Sequence, residues 1–342
     1  MKVLVIRFSA MGDVALLTPV LTSLVTAHPN VTVTVLTRKR FSAFFSTIER
    51  VSVMGVDLDA DFKGLIGLWR LSKIIQKEKF NLIVDLHDNL RSIILRSLLR
   101  LKGVPVSILD KGRADKRKLS RKSNKKRNKL PHTIERYSKP FEQNGLKINL
   151  LKPPFIQVPE SENKIDTWLN LQGLVIASNK IALAPFAAHK TKIWPIHNYK
   201  KVISLVLERI DTTFFLFGGG SHEIDFFKTL KEEYPKNIII AAGQLSLLEE
   251  FSLMKKVDKL LTVDSSNMHI ASILVTPTVS IWGGTHTDAG FGAIGNDKIV
   301  EIDINELPCR PCSIYGKETC YLGNFACMNL ITPEQVANKL LE

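Results

Sequence analysis

Short apolar runs that end in polar turns and hand over to helix-spaced apolar stripes recur along this chain, and few folds accommodate that alternation. Residues 260–284, LLTVDSSNMHIASILVTPTVSIWGG, show the unit in full. A buried strand over 260–263 leads into an Asp-Ser-Ser-Asn turn, a helix carrying Met268 and His269, and a further strand over 277–282. Strands alternating with helices imply parallel sheets with right-handed crossovers. Such sheets bind ligands beyond the carboxyl ends of their strands, where helix N-termini present unpaired N–H groups to anions. Asp264 stands at such an end, with Ser265 or Ser266 as the helix cap, and Gly283-Gly284-Thr285 repeats the pattern one strand later.

The same rhythm runs from the start of the chain. Residues 2–6 read as a strand, followed by Arg7-Phe8-Ser9-Ala10-Met11-Gly12-Asp13 and a helix over 14–27, which places Asp13 at or just before a helix N-terminus. Strands follow at 31–37, 51–56, 81–85 and 104–109, and helices at 41–48, 65–78 and 92–101. The strand at 81–85 ends in Leu86-His87-Asp88-Asn89, where His87 either meets a substrate or satisfies a loop. A helix over 132–144 precedes a proline-marked linker, so we place a first domain at 1–155 and a second at 156–342. The second holds strands at 180–184, 212–217, 238–241, 260–263 and 277–282. Its helices fall at 161–171, 196–208, 222–233, 247–255 and, closing the chain, 333–341.

With 342 residues, 45% of them apolar and 23% charged, the chain has the makeup of a two-domain globular protein. No apolar run approaches the roughly 18–20 residues that cross a bilayer, and the run at 3–6 is too short for a signal peptide. The formal charge of +14 is concentrated: residues 111–129 hold eleven Lys or Arg against Asp115 alone. Such a block suits a phosphorylated substrate, an anionic lipid surface or nucleic acid, or is a solvated loop. It has no interleaved aromatics for base stacking. All four cysteines lie in one segment, Cys309, Cys312, Cys320 and Cys327, a spacing that admits a structural zinc ion, free thiols or a disulfide.

Three stretches combine into a candidate diphosphate-binding site. Lys190 and Lys192 supply point charges, the turn from Asp264 to His269 supplies N–H groups and a helix dipole, and Glu223, after three glycines, is placed to accept ribose hydroxyls. Residues 218–223 do not match G-x-G-x-x-G, and no Walker lysine motif occurs, which excludes the commonest dehydrogenase and P-loop readings.

Taken together, S-x-M-G-D (9–13), K-x-W-P (192–195), G-G-x-x-x-E (218–223), D-S-x-x-M-H-I-A (264–271) and C-M-N-L-I-T-P-E (327–334) resemble the motifs of glycosyltransferase family nine, the bacterial lipopolysaccharide heptosyltransferases. The resemblance runs from Met1 to about Val336 with the motifs in family order. It implies an α/β fold of GT-B type, two Rossmann-like doubly wound domains facing across a cleft, and inverting transfer of heptose from ADP-heptose. By position it implies Asp13 as general base, Lys192 on the phosphates, Glu223 facing the nucleoside, and Asp264, Ser265 and His269 in the donor-binding turn, beside which Lys190 and Ser266 stand as further candidates for donor contact. Ser9, Met11, Gly12 and His87, with Arg113, Lys116 and Arg117 of the basic segment, become the acceptor side. The sequence departs from the family where Ser266 stands in place of a usual glycine, which narrows the pocket or demands a different turn.

The implied acceptor is the lipid A–inner core. The implied setting is cytoplasmic, at the inner membrane, with the basic segment in peripheral contact with anionic lipid. No catalytic metal, no nucleic acid partner and a monomeric state are expected. The alternatives are another nucleotide sugar or acceptor within the family, and a basic nucleic-acid-binding protein of a different class.

Overall fold

In a computed structural model, which describes residues 1–295 and 297–342, the apolar runs assemble into two separate sheets. The first contains β1 (Lys2–Ile6), β2 (Thr32–Arg38), β3 (Val51–Val56), β4 (Leu82–Asp85) and β5 (Val106–Ile108), in the order β3-β2-β1-β4-β5. The second contains β6 (Asn179–Ala184), β7 (Thr212–Leu216), β8 (Ile238–Ile240), β9 (Lys259–Val263), β10 (Thr278–Trp282) and β11 (Asp297–Glu301), in the order β11-β10-β9-β6-β7-β8. Every described pairing is parallel. Strands covered by helices on both faces need apolar side chains on both, which is why Val3, Leu4, Val5 and Ile6 are all buried.

The strand order reverses beside β1 in the first sheet, where Ile6 is in register with Leu36 on one side and Asp85 on the other. In the second sheet it reverses beside β6, where Leu183 lies between Leu216 and Leu261. The carboxyl ends of β1 and β4, and of β6 and β9, are therefore where a doubly wound fold opens a ligand crevice. The expected site residues Asp13, His87, Lys192 and Asp264 all follow one of these four strands.

Several local readings change. The helix read over 14–27 is two helices, Met11–Ala15 and Leu17–Ala27, so Asp13 is a third-position residue inside the first turn rather than its cap. Its carboxylate accepts the Ala10 N–H at 3.3 Å, which lets the turn begin early. The helix read over 41–48 is a 3-10 segment, Lys39–Phe44. Strand β11 escaped notice because its apolar content is only Ile299-Val300 between charged residues. The basic segment contains a helix, Arg113–Leu119.

The chain divides into two units, Met1–Arg113 with Pro131–Gln157, and Ala114–Leu130 with Val158–Glu342. Most of the basic segment thus belongs to the second unit rather than to the first, where the linear reading placed it. Leu119 and Leu130 explain this: they form an apolar cluster with Ala289 and Ile314, and the Leu130 N–H donates to the Asp288 carbonyl at 2.8 Å. Among the described residues no helix is long and apolar enough to cross a membrane.

Candidate active site

In the first unit the turn after β1 gathers a carboxylate, a guanidinium and a phenol. Asp13 Oδ2 lies 2.5 Å from Arg7 Nη2, and the Tyr137 hydroxyl donates to Asp13 Oδ1 at 3.2 Å. Arg7 itself is buried, donates to the Leu86 carbonyl at 2.5 Å and sits 5.6 Å from the Tyr137 ring centroid. A carboxylate with a counter-charge on one oxygen and a neutral donor on the other is held in one orientation while still able to accept a proton. Ser9 and Met11 flank it half-exposed, and Gly12 is buried.

His87, after β4, packs edge-on to Phe8 at 5.4 Å and is almost fully buried. Burial first, then the positive field of Arg7, pushes its pKa down to about 4, so the ring is neutral at neutral pH. The turn beneath it is built on Asp85. That buried carboxylate accepts the N–H groups of His87 and Asp88 at 2.9 Å each and pairs with Arg96 at 2.6 Å. Arg113 pairs with Asp88 at 2.9 Å.

In the second unit Lys192 sits on the 3-10 turn Lys190–Lys192 that follows β6. Its ammonium lies 3.0 Å from Asp264 Oδ2, and the Thr285 hydroxyl donates to the same oxygen at 2.7 Å. Asp264 is buried and so serves as the anchor that aims Lys192. Ser265 occupies the cap position of the helix Ser266–Leu274, but its hydroxyl pairs with Thr262 Oγ1 at 3.1 Å and makes no side-chain cap. The first N–H groups of that helix are thus not tied to the serine, the condition under which a helix end receives an anion. Ser266 opens the helix, and His269 is buried within it.

A model of glycosyltransferase family 9 (heptosyltransferase) matches residues 68–320. The chain belongs to glycosyltransferase family 9. It is 22% identical over 288 residues to the lipopolysaccharide core heptosyltransferase OpsX of Haemophilus influenzae, covering 81% of this chain and 78% of that protein. Among solved structures it resembles a family 9 glycosyltransferase from Veillonella parvula, with TM-score 0.75 and 19% identity over 99% of this chain and 96% of the other. It also resembles the ADP-heptose lipopolysaccharide heptosyltransferase II of E. coli, with TM-score 0.74 and 17% identity over 100% and 98%. These likenesses show the GT-B type fold, and the family membership makes the protein a glycosyltransferase.

Within this family 9 enzyme the other expected site residues are placed unevenly. Lys190 is exposed and has no ion-pair partner among the described residues. Glu223 is turned back on its own loop, where Oε2 accepts the Gly219 N–H at 2.7 Å, leaving it to shape the loop as well as to meet a ligand. Lys116, expected on the acceptor side of the first domain, is buried in the second unit. Its ammonium lies 4.5 Å from the Phe291 ring centroid and 3.2 Å from the Tyr315 hydroxyl. Arg117 is exposed.

The four cysteines all lie in the segment 309–327. Among the described residues no three His, Cys, Asp or Glu side chains are grouped to hold a metal. All four are free thiols, and burial pushes Cys327 up to about 12. The segment instead buttresses Lys192 through its backbone. Lys317 N–H donates to Thr191 Oγ1 at 2.8 Å, Thr191 N–H to the Lys317 carbonyl at 3.0 Å, and Cys312 N–H to the Gly284 carbonyl at 2.9 Å. Gly316, at φ +98°, lies against Lys192 Cδ, where a Cβ has no room. Lys125 of the basic segment closes the arrangement by donating to the carbonyls of Cys309 and Pro311 at 2.7 and 2.6 Å.

Arg7, Tyr137, Thr285 and Arg310 are the residues that sequence reasoning missed. Arg310 is fully buried, donates to the carbonyls of Gly283 at 2.6 Å and Trp282 at 3.0 Å and to that of Ile302, and pairs with Glu301 at 2.7 Å. Burial opposes the Glu301 charge, but His286 and Arg310 outweigh it and hold its pKa below the usual value. The positions of Arg7 and Thr285, each just after a buried strand, were the available signals.

Proposed function

We propose that the protein transfers heptose from ADP-heptose to the inner core of lipopolysaccharide, by a single displacement that inverts the anomeric centre. The observation that carries this is the Asp13 carboxylate, oriented by Arg7 and Tyr137 at a switch-point strand end. Asp13 takes the proton of the acceptor hydroxyl as that oxygen attacks, and Arg7 holds the carboxylate in place. Lys192 and the N-terminus of the Ser266–Leu274 helix carry the charge that builds on the departing ADP. Cationic and dipolar groups do this without a catalytic metal, so the rate is expected to survive EDTA. Ser9, Met11, Gly12 and His87 border the acceptor.

The reading is tested by calorimetry with ADP, UDP, GDP and a DNA duplex on wild type and Lys192→Ala, followed by transfer from ADP-heptose to a heptose-free inner core. Selective ADP binding weakened by Lys192→Ala, and transfer abolished by Asp13→Asn, are the expected results. Preference for UDP or GDP keeps the fold and removes the heptose donor. Binding to DNA alone removes the enzyme reading.

A further inference from the structure

The helices Gly64–Lys77 and Leu90–Arg100 lie side by side in the first unit, connecting β3 to β4 and β4 to β5. Their inner stripes, Leu68, Leu71 and Ile75 on one and Leu95 and Leu99 on the other, account for their packing on the sheet. Their outer stripes ought then to be polar, as on an ordinary surface helix. They are not. Ile66 is 76% exposed and Leu90 73%, with Leu65, Trp69 and Ile93 also exposed, and Leu101 follows at 82%. An apolar face of this kind marks a binding surface.

The charges on the two helices themselves are of one sign. Each helix carries three Lys or Arg and no Asp or Glu. Arg70, Lys73, Lys77 and Arg100 have no acidic partner among the described residues, and Lys73 stands 5.4 Å over the Trp69 ring. The nearest acids are already taken: Asp59 pairs with Arg38 and Arg91, Asp61 with Lys39, and Glu78 with Lys2.

We propose that this helix pair is a membrane-docking face that seats on an anionic lipid bilayer, with Trp69 and its aliphatic neighbours in the interfacial layer. Exposed Leu, Ile and Trp interspersed with cations that have no acidic partner is the composition of a surface that lies in the headgroup region. An acidic protein partner would gain the charges but leave single-sided aliphatic exposure on separate helix turns without matched pockets. Placement supports the assignment. Leu65, Ile66 and Leu90 sit in the first turns of their helices, and those turns lie at the carboxyl edge of the sheet, where Asp13 and His87 also stand. For its purpose the inference rests on the lipid-linked acceptor proposed above: docking here brings the base to a sugar tethered to the bilayer. It also moves the principal membrane contact away from the basic segment, several of whose lysines are used inside the second unit.

The full-length protein is mixed with phosphatidylcholine vesicles containing or lacking about a third phosphatidylglycerol, and bound protein is measured by sedimentation. Wild type is expected to bind only the anionic vesicles, less at high salt, with Trp69 fluorescence quenched by brominated lipid. Ile66→Ser/Trp69→Ser and Arg70→Glu/Lys73→Glu are each expected to weaken binding about tenfold or more. Transfer to a water-soluble deacylated acceptor is expected to be unchanged in both variants, while transfer to vesicle-embedded acceptor falls. Vesicle binding needs no donor, so its outcome is independent of whether heptose is the sugar. The proposal is overturned if wild type ignores anionic vesicles, or if both variants bind as wild type. Loss of binding only on charge reversal at Arg117, Arg121 and Lys126 overturns it too, as does a face that proves to mediate dimerisation instead.

Discussion

Lys192 and Asp264 form an ion pair of 3.0 Å whose acid is buried and also receives the Thr285 hydroxyl. Two residues 72 positions apart in the chain, each legible as part of a phosphate site, turn out to have different jobs. On the function proposed above the lysine meets the diphosphate, and the aspartate holds the lysine in line.

Their substitutions should therefore differ. Lys192→Ala removes a charge-assisted contact and is expected to weaken ADP binding about 10- to 100-fold, from roughly 1.5–3 kcal/mol. Asp264→Asn keeps an acceptor for Thr285 and is expected to cost less than about tenfold in affinity. Calorimetric titration of both variants checks this, and a larger loss in Asp264→Asn would reverse the assignment.

Asp13→Asn is nearly isosteric and keeps an acceptor for the Tyr137 hydroxyl. It is expected to lower kcat by about 10²–10⁴ with the Kd for ADP unchanged, the scale of a lost general base. Tyr137→Phe removes one hydrogen bond to the carboxylate and is expected to cost less than Asp13→Asn, about tenfold in kcat. Steady-state kinetics beside ADP titrations separate the two.

His87 makes stability depend on pH. Its folded pKa of about 4 lies below the ordinary value of about 6.5. Between those values the unfolded chain binds a proton that the folded chain does not, so this contribution is complete above pH 6.5 and is lost as pH falls toward 4. The groups around it are Arg7, Asp85, Lys111 and Asp13. The expected loss is on the order of 1–3 kcal/mol, and His87→Gln should flatten the slope. Urea titrations at pH 7 and pH 5 measure it, and parallel slopes in the two proteins would contradict it.

Arg310 shows what one buried cation can organise. Arg310→Met leaves the carbonyls of Trp282 and Gly283 without this donor and Glu301 with His286 alone, and a loss of about 3–5 kcal/mol is expected. Arg310→Lys should recover little of it, because one ammonium cannot reach acceptors arranged for a planar fork. Chemical denaturation reads the difference directly.

Much of the architecture was legible in the chain. Strands such as β1 and β9 are short, mostly apolar and closed by polar turns, and the closing helix Pro333–Leu341 carries its own Thr332–Gln335 capping box. These are local signals, and a local signal is enough where burial on both faces dictates every residue. Strand β11 was not legible because an edge strand with one covered face needs only two apolar residues.

The site divides along the same line. Asp13, Lys192, Glu223 and Asp264 stand out because each follows a strand end within a recognisable motif, and position in a motif is a property of the sequence. What surrounds them is not. Tyr137 lies 124 positions from Asp13, and Thr285 is 21 from Asp264. The basic segment read as a free cationic loop until Leu119 and Leu130 drew it onto Ala289 and Ile314, and Lys125 onto the carbonyls of Cys309 and Pro311. The sequence by itself determined most of the elements and their order, because periodicity and turn composition are encoded within a few residues. Only the tertiary structure decided which charges are free and which are already spent, because pairing depends on distances that folding sets between parts of the chain far apart.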